Sequence, residues 1–418
     1  MGERGCSADI EIATEEIDKI MKGHIRKRGS RSWAIVLDLD READGKRRQK
    51  WHTVNGTRKD AEQEMTKLLR QRNTGAYVEP TNLTLAAYLS KWLEDYAKIN
   101  VSGKTYERYE GIVNHHLIPA LGHHQLTRLA PMHIQEHYSQ ALKTGREDQR
   151  KDKQGTGLSA QSVLHHHRVL HKALELAVRW QLLGRNPTDA VEPPRPEGRE
   201  LSAIDEDEAA ALIDAAVGTR LYIPVLLTLT TGMRRGEILA LAWPDVDMRA
   251  GFVYVHRALE ETRNGVRLKD TKARRGRRRI KLPPLIVDAL AQHQQDQLDH
   301  KKLLGEAYQG QELVCCREDG SIRKPSAFTS AYRDLLRRRG IANIGFHALR
   351  HSHASQLLKN NVNAKVVSER LGHAKVAFTL DTYAHLLPGM QKQAAATTDV
   401  MLRTALGKRQ QKEPHEAA

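Results

Sequence analysis

The sequence predicts a mostly α-helical protein with small β-sheets, organised as three domains: a three-stranded sheet with one helix, a helical domain, and a mixed α/β domain. Three observations predict it. Apolar–polar alternation is confined to two short stretches, around 24–54 and 252–282, whereas helical spacing of apolar residues runs through most of the remainder. Polar breaks containing Pro and Gly, NTGAYVEPTN at 73–82 and GRNPTDAVEPPRPEGRE at 184–200, separate the stretches. The length, 418 residues, holds two or three domains of ordinary size. The expected bounds are 20–75, 83–184, a linker at 185–200, 201–395, and a tail at 396–418.

In the first domain HIRKRG, SWAIVLDLD and KRRQKWHTV alternate around an ADGK turn, which suggests a three-stranded antiparallel sheet. A helix follows from about Lys59, with Ala61, Met65, Leu68 and Leu69 as its apolar stripe. The strands carry Arg26, Lys27, Arg28, Lys46, Arg47, Arg48 and Lys50, with Trp33 and Trp51 nearby. A sheet with one basic face can enter a DNA major groove; a solvated charged face packed on one helix is the competing reading.

The second domain opens with Thr84 as an expected N-cap, followed by Leu85, Tyr88, Leu89, Trp92 and Leu93 on one helical face. Further helices fit GKTYERYEGIVNHHLIPAL, APMHIQEHYSQAL and SAQSVLHHHRVLHKALELAVRW, with a polar loop before the last. The run His165–His166–His167 does not make a metal site, because successive helical residues point around the axis; a partly exposed helix surface is expected there.

The third domain begins with an acidic helical start, SAIDEDEAAALIDAA, suited to the positive end of a helix. It contains LTTGMRRGEILALAW (229–243), which puts Arg234 after a Gly turn at a helix start, with Glu237 three residues on. FHALRHSHASQLL (346–358) places His347 and Arg350 three apart on one helical face. An LGH turn then brings His373, and TLDTYAHL brings Tyr383. A phenol with a pKa near ~10 is a poor nucleophile at neutral pH unless cationic groups surround it. Each of these groups taken alone suits an ordinary helix surface or a half-buried aromatic.

Lys plus Arg total 67 against 51 Asp plus Glu, a formal charge of +16, which points to a polyanionic partner, most often nucleic acid. Three cysteines, Cys6, Cys315 and Cys316, are too few for a disulfide framework and suit a reducing cytoplasm; the last two fall in ELVCCRED, read as a buried strand. No apolar run approaches the ~20 residues that span a bilayer, and the acidic N-terminus lacks a signal-peptide core, so neither membrane nor secretion is expected.

Taken in order, Arg234 in TGMRRGE, His347 and Arg350 in HALRH, His373 in LGH and Tyr383 in TLDTYAHL resemble the catalytic set of the tyrosine recombinases, or phage integrases. The separations also fit: 113 residues from Arg234 to His347, then 23 from Arg350 to His373 and 10 more to Tyr383. The resemblance covers the third domain by motif and the first two more loosely. It implies an arm-type DNA-binding domain, a helical core-binding domain and a catalytic domain, and the integrase of a phage or mobile element. It also implies a lysine in a β-hairpin within RLKDTKARRGRRRIKLP (267–283). The phase set by Ile280 and Leu282 gives Lys272, with Lys269 as runner-up, since Thr271 and Ala273 depart from the family's Pro-Lys-Thr. Arg274, Arg275 and Arg277, among seven arginines between 263 and 279, are expected at phosphates.

The resemblance assigns Arg234 and Arg350 to the two non-bridging phosphate oxygens, held by planar forks without a metal ion or other cofactor. His373 donates a hydrogen bond to the same phosphate, His347 is the candidate base near the Tyr383 hydroxyl, and Lys272 protonates the departing 5′-oxygen. The partners implied are double-stranded DNA at core and arm attachment sites and a homotetramer on that DNA, with an excision factor or host DNA-bending protein as further candidates. Two other outcomes compete with recombination: supercoil relaxation by a type IB topoisomerase, and sequence-specific DNA binding with a vestigial site.

Overall fold

The computed structural model describes residues 23–39, 48–73, 81–145, 157–197, 203–270, 276–310, 312–383 and 390–410. The chain divides into two compact units, 1–197 and 198–418.

Strands β1 (Gly23–Gly29), β2 (Ser32–Leu39) and β3 (Arg48–Asn55) form an antiparallel sheet in the order β1-β2-β3, and helix α1 (Arg58–Asn73) packs on it. The register pairs Ile25 with Ile35 and Ile35 with His52, so these share a face, and Ile25, Ile35, Leu37 and Val54 meet Met65, Leu68 and Leu69 of α1. Arg26 lies in the opposite set, and Arg26 and Arg28 both stack over the exposed Trp51 ring. Lys27 and Lys50 pair with Trp33 and Leu37, in the set that faces α1. The basic residues are thus divided between two faces, because the β period of two separates Arg26 from Lys27.

The helical domain starts at α2 (Leu85–Trp92), where the Thr84 side chain caps the Ala87 amide at 3.2 Å, and runs through a π-turn (Leu93–Ala97) to Asn100. Helix α3 (Gly103–Ile112) continues likewise through a π-turn (Val113–Leu117) to Leu121. With α4 (Pro131–Thr144) and α5 (Ala160–Arg179) they enclose a core of Leu85, Leu89, Trp92, Leu117, Ile134 and Leu170. Tyr88 ties α2 to α5 by donating to the Ala173 carbonyl at 2.6 Å. Of the histidine run, His166 is buried rather than on the expected surface, since α5 is covered on that side by His116 and His137. Val191, inside the Pro-rich 184–200 stretch, packs into this same core.

The second unit contains α6 (Glu206–Ala216), capped reciprocally by Asp205 and Glu208, then α7 (Tyr222–Thr231) and the short α8 (Arg235–Leu239). The β stretch makes two small sheets. One has the order β4 (Val246–Asp247), β5 (Phe252–Val255), β8 (Arg278–Lys281); the other is the hairpin β6 (Arg257–Thr262) and β7 (Gly265–Asp270). Helices α9 (Pro284–Leu304), α10 (Pro325–Arg338), α11 (Phe346–Lys359), α12 (Ala364–Leu371) and α13 (Val376–Tyr383) follow. Core residues come from both helices and strands, with Leu227, Ile238, Val253, Ile280, Phe328 and Leu349 among them. Cys315 and Cys316 are buried as expected but not in a strand: among the described residues an isolated bridge, Ala242 to Leu313, forms there before the chain turns. Helix α14 (Met390–Gln410) leaves Val400, Met401, Leu402 and Leu406 exposed. Among the described residues no helix is long and apolar enough to cross a membrane.

Candidate active site

Gly232 ends α7 at φ +66°, and a Cβ there would lie 2.6 Å from Leu371 Cδ2 and 2.8 Å from His353 Cδ2, so only glycine suits both the backbone and the space. The chain then turns into Arg234, the N-cap of α8. Glu237 folds back on it, accepting from the Arg234 amide (2.8 Å) through Oε2 and from Arg234 Nη1 (2.9 Å) through Oε1. The same carboxylate accepts from Arg278 Nη1 (3.1 Å) and Nη2 (2.8 Å) at the start of β8. The side chains of Glu237 and Arg278 are 3% and 6% exposed, whereas that of Arg234 is 42% exposed. Burial opposes ionisation of Glu237, but Arg278 and Arg234 outweigh it and hold its pKa below the ordinary carboxylate value. Glu237 is therefore a buried brace and not a residue of a surface helix start. Arg278 is anchored at its other end by Nε donating to the Arg370 carbonyl at 2.6 Å.

Arg350 is buried in α11 and is oriented by two backbone carbonyls: Nη1 donates to the Gly232 carbonyl and Nη2 to the Leu371 carbonyl at 2.7 Å. Burial, with Arg234 next in effect, pushes its pKa down to about 9, and it remains a cation at neutral pH. No acidic side chain forms an ion pair with it among the described residues. Among the described residues Glu237 acts on it only at a distance, without an ion pair, and a buried guanidinium held this way attracts an anion from outside.

His347 and His351 are one helical turn apart on α11, with ring centroids 4.8 Å apart and edge to face. The pKa of His347 is lowered, first by burial and then by Arg350 and Arg234. His373 follows Gly372 (φ +66°) at the end of α12; its Nδ1 is 2.8 Å from Thr379 Oγ1 and its pKa falls to about 4 through burial, then Arg350 and Arg234. Tyr383 closes α13, is 1% exposed, and packs with Ala354, Leu358, Val367 and Leu371. Its hydroxyl shares a 2.7 Å hydrogen bond with His351 Nδ1. Burial raises the phenol to about 12 against the opposing pull of Arg350, while burial, His347 and Arg350 lower His351 to about 4. The free protein thus holds an uncharged tyrosine and three neutral histidines around guanidinium cations.

Arg234, His347, Arg350, His373 and Tyr383, which the sequence singles out, fall in one electrostatic neighbourhood: Arg350 responds to Arg234 and Tyr383, and His347 and His373 both respond to Arg234 and Arg350. The histidine on the tyrosine hydroxyl is His351, not His347. Its signal was present in HALRH, four residues after His347 on the same helical face. Arg278, not the exposed neighbour Arg277 expected from sequence, joins this group; Arg277 lies 3.5 Å from Asp270. Lys272, Arg274, Arg275, Lys46 and Arg47, and the side chain of Arg48, lie outside the described residues. Lys269 on β7 is paired with Glu260 at 2.9 Å.

Residues 202–389 match the phage integrase family, and residues 84–142 match the phage integrase N-terminal SAM-like domain. A XerC-like tyrosine recombinase of Caldanaerobacter subterraneus subsp. tengcongensis is 25% identical over 390 residues, which cover 89% of this chain and 96% of that protein. The Tn1549 transposon integrase, solved with a circular intermediate DNA, matches with a TM-score of 0.63 at 17% identity, covering 76% of this chain and 99% of that one. The lambda integrase tetramer bound to a Holliday junction gives a TM-score of 0.52 at 18% identity, covering 86% and 94%. At such identities these two solved structures share the fold.

Proposed function

The chain belongs to the phage integrase family of tyrosine recombinases, and on that premise we propose that Tyr383 is its nucleophile and Arg234, Arg350, His347 and His373 the groups that hold the scissile phosphate. It is a site-specific DNA recombinase that integrates or excises a mobile element. The observation that carries the residue assignment is Arg350: a buried cation oriented by two carbonyls, without an ion-pair partner among the described residues, close enough to feel both Arg234 and Tyr383.

In this reading the two guanidinium forks bind the non-bridging oxygens and stabilise the charge of the five-coordinate phosphorus. The Tyr383 oxygen bonds to phosphorus as the bond to the 5′-oxygen breaks, leaving a 3′-phosphotyrosine. Lys272 protonates the departing oxygen; the Lys269–Glu260 ion pair favours Lys272 over Lys269 for this role. Attack by a 5′-hydroxyl of another strand reverses the step and rejoins DNA without ATP. Arg274, Arg275 and Arg277 meet backbone phosphates beside the site.

Region 20–75 is proposed to bind arm sites through Arg26 and Arg28 with Trp51, and 83–184 to bind the core site. The working assembly is a homotetramer on two duplexes, with the exposed residues of α14 as the contribution to a neighbouring copy, and its compartment is the cytoplasm, where element and host DNA meet. An excision factor or a host DNA-bending protein would act on this assembly. The test is a cleavage assay in EDTA on DNA flanking the protein's own gene, nicked so that the released 5′-end diffuses away. A denaturation-resistant adduct is expected from the native chain and none from Tyr383→Phe. Absence of an adduct on DNA bound at a specific site would support the competing reading, a DNA-binding protein with a vestigial site.

A further inference from the structure

We propose that His351, rather than His347, is the group that accepts the Tyr383 proton when the tyrosine attacks, and that the two histidines of α11 divide their work along the helix. The assignment rests on the recombinase reading of Tyr383 and adds to it the missing base.

Geometry carries it. The Tyr383 hydroxyl sits 2.7 Å from His351 Nδ1, within the reach a general base needs, and it is a contact between the reacting atom and an imidazole nitrogen. The ring is held on two sides, packing 5.9 Å from the Tyr383 ring centroid and 4.8 Å from that of His347. The role requires the tautomer in which Nδ1 accepts from the phenol and the neutral imidazole carries its own proton on Nε2. His347 lies one turn earlier, where Arg350 and Arg234 are its principal charged neighbours. That is the place of the phosphate, and it suits His347 for donating to a non-bridging oxygen.

The electrostatics explain why such a pair stays silent until DNA arrives. Around His351 the charged and titratable neighbours are His347 and Arg350 on its own helix, Tyr383 on α13, and His373 at the end of α12. Arg350 disfavours a further cation there, and burial disfavours any charge, so the proton remains on the phenol. A phosphodiester bound between Arg234 and Arg350 brings a negative charge that offsets those cations and makes an imidazolium tolerable. In the step itself the Tyr383 O–H bond breaks, the proton moves to Nδ1, the phenolic oxygen bonds to phosphorus and the 5′-oxygen leaves with a proton from Lys272. On rejoining, the attacking 5′-hydroxyl gives its proton to Lys272 and His351 returns its proton to the departing tyrosinate, so nothing is consumed.

The experiment uses the full chain and the nicked duplex flanking its own gene, with single-turnover adduct formation followed from pH 5 to 9. The native chain must first form the adduct and Tyr383→Phe must lose it; failure there on specifically bound DNA overturns the recombinase reading and this assignment with it. Given that adduct, His351→Gln keeps a hydrogen-bonding group but no base. It is expected to slow adduct formation about 100-fold or more, with DNA affinity and thermal midpoint near those of the native chain, and to make the rate climb with pH, because the phenol must then lose its proton to solvent. Replacing Tyr383 by the more acidic 2,3-difluorotyrosine should restore much of the rate in His351→Gln and little in His347→Gln. A His351→Gln rate within a few-fold of native, or a loss that the acidic phenol restores equally in His347→Gln, overturns the assignment.

Discussion

Arg350 illustrates how a single side chain is prepared for an anion: two carbonyls, Gly232 and Leu371, aim it, and no acid neutralises it among the described residues. A lysine cannot bridge two carbonyls and bind a phosphate bidentately at once. Arg350→Lys is therefore expected to lower adduct formation by about 100-fold or more while keeping the charge, measured in the nicked-duplex assay. Glu237 is the opposite case, a buried acid shared by Arg234 and Arg278. Glu237→Ala leaves the 6%-exposed Arg278 without its carboxylate, and about 3 kcal/mol of stability should be lost, read as a shift of the urea midpoint. Arg234, 42% exposed, loses its brace and should bind phosphate less well in the same variant. Both roles were half visible in the sequence: the arginines as types at a spacing, the glutamate only as a neighbour.

At the scale of elements, helix faces were readable and strand partnerships less so. Thr84 as a cap and the stripe of Leu85, Tyr88, Leu89 and Trp92 follow from a 3.6 period and local chemistry, and the structure has both. The 252–282 stretch reads as one β section, yet β8 returns to pair with β5 while β6 and β7 form a separate hairpin. Pairing between distant strands is set by what each packs against, which no local period records. The helical domain carries its own pH sensitivity. His137 and His166 are buried, with His137 Nε2 and His166 Nδ1 unpartnered among the described residues, and His166 stacks between His116 and His137. Burial lowers His137 to about 4 and pushes His166 down as well. With folded values below the unfolded 6.5, the unfolded chain binds more protons, so their contribution to stability is present above pH 6.5 and is lost as pH falls toward 4. Each unit of that fall costs up to about 1.4 kcal/mol per histidine. A melting series from pH 7.5 to 4.5 should show a falling midpoint for this domain, and His166→Phe should flatten it.

For the whole molecule, charge is the property that the sequence states most plainly. With a net +16, affinity for non-specific duplex should fall on the order of 10³-fold or more between about 50 and about 200 mM salt, measured by fluorescence anisotropy. A shallow salt slope would mean few phosphate contacts and would count against the basic segments acting together. The division into two units at 197/198 falls inside the Pro-rich stretch read from sequence, although Val191 in that stretch packs with the helical core. What the sequence determined alone was composition, helix periodicity and the ordered series Arg234, His347, Arg350, His373 and Tyr383, because residue type and spacing are local or countable. What only the tertiary structure decided was contact: that Glu237 is buried between two arginines, that Arg278 belongs with them, and that His351 reaches the Tyr383 hydroxyl. The His351–Tyr383 and Glu237–Arg278 contacts join residues 32 and 41 positions apart through the packing of α8, β8, α11 and α13, and such distances close only when the core that sets them has formed.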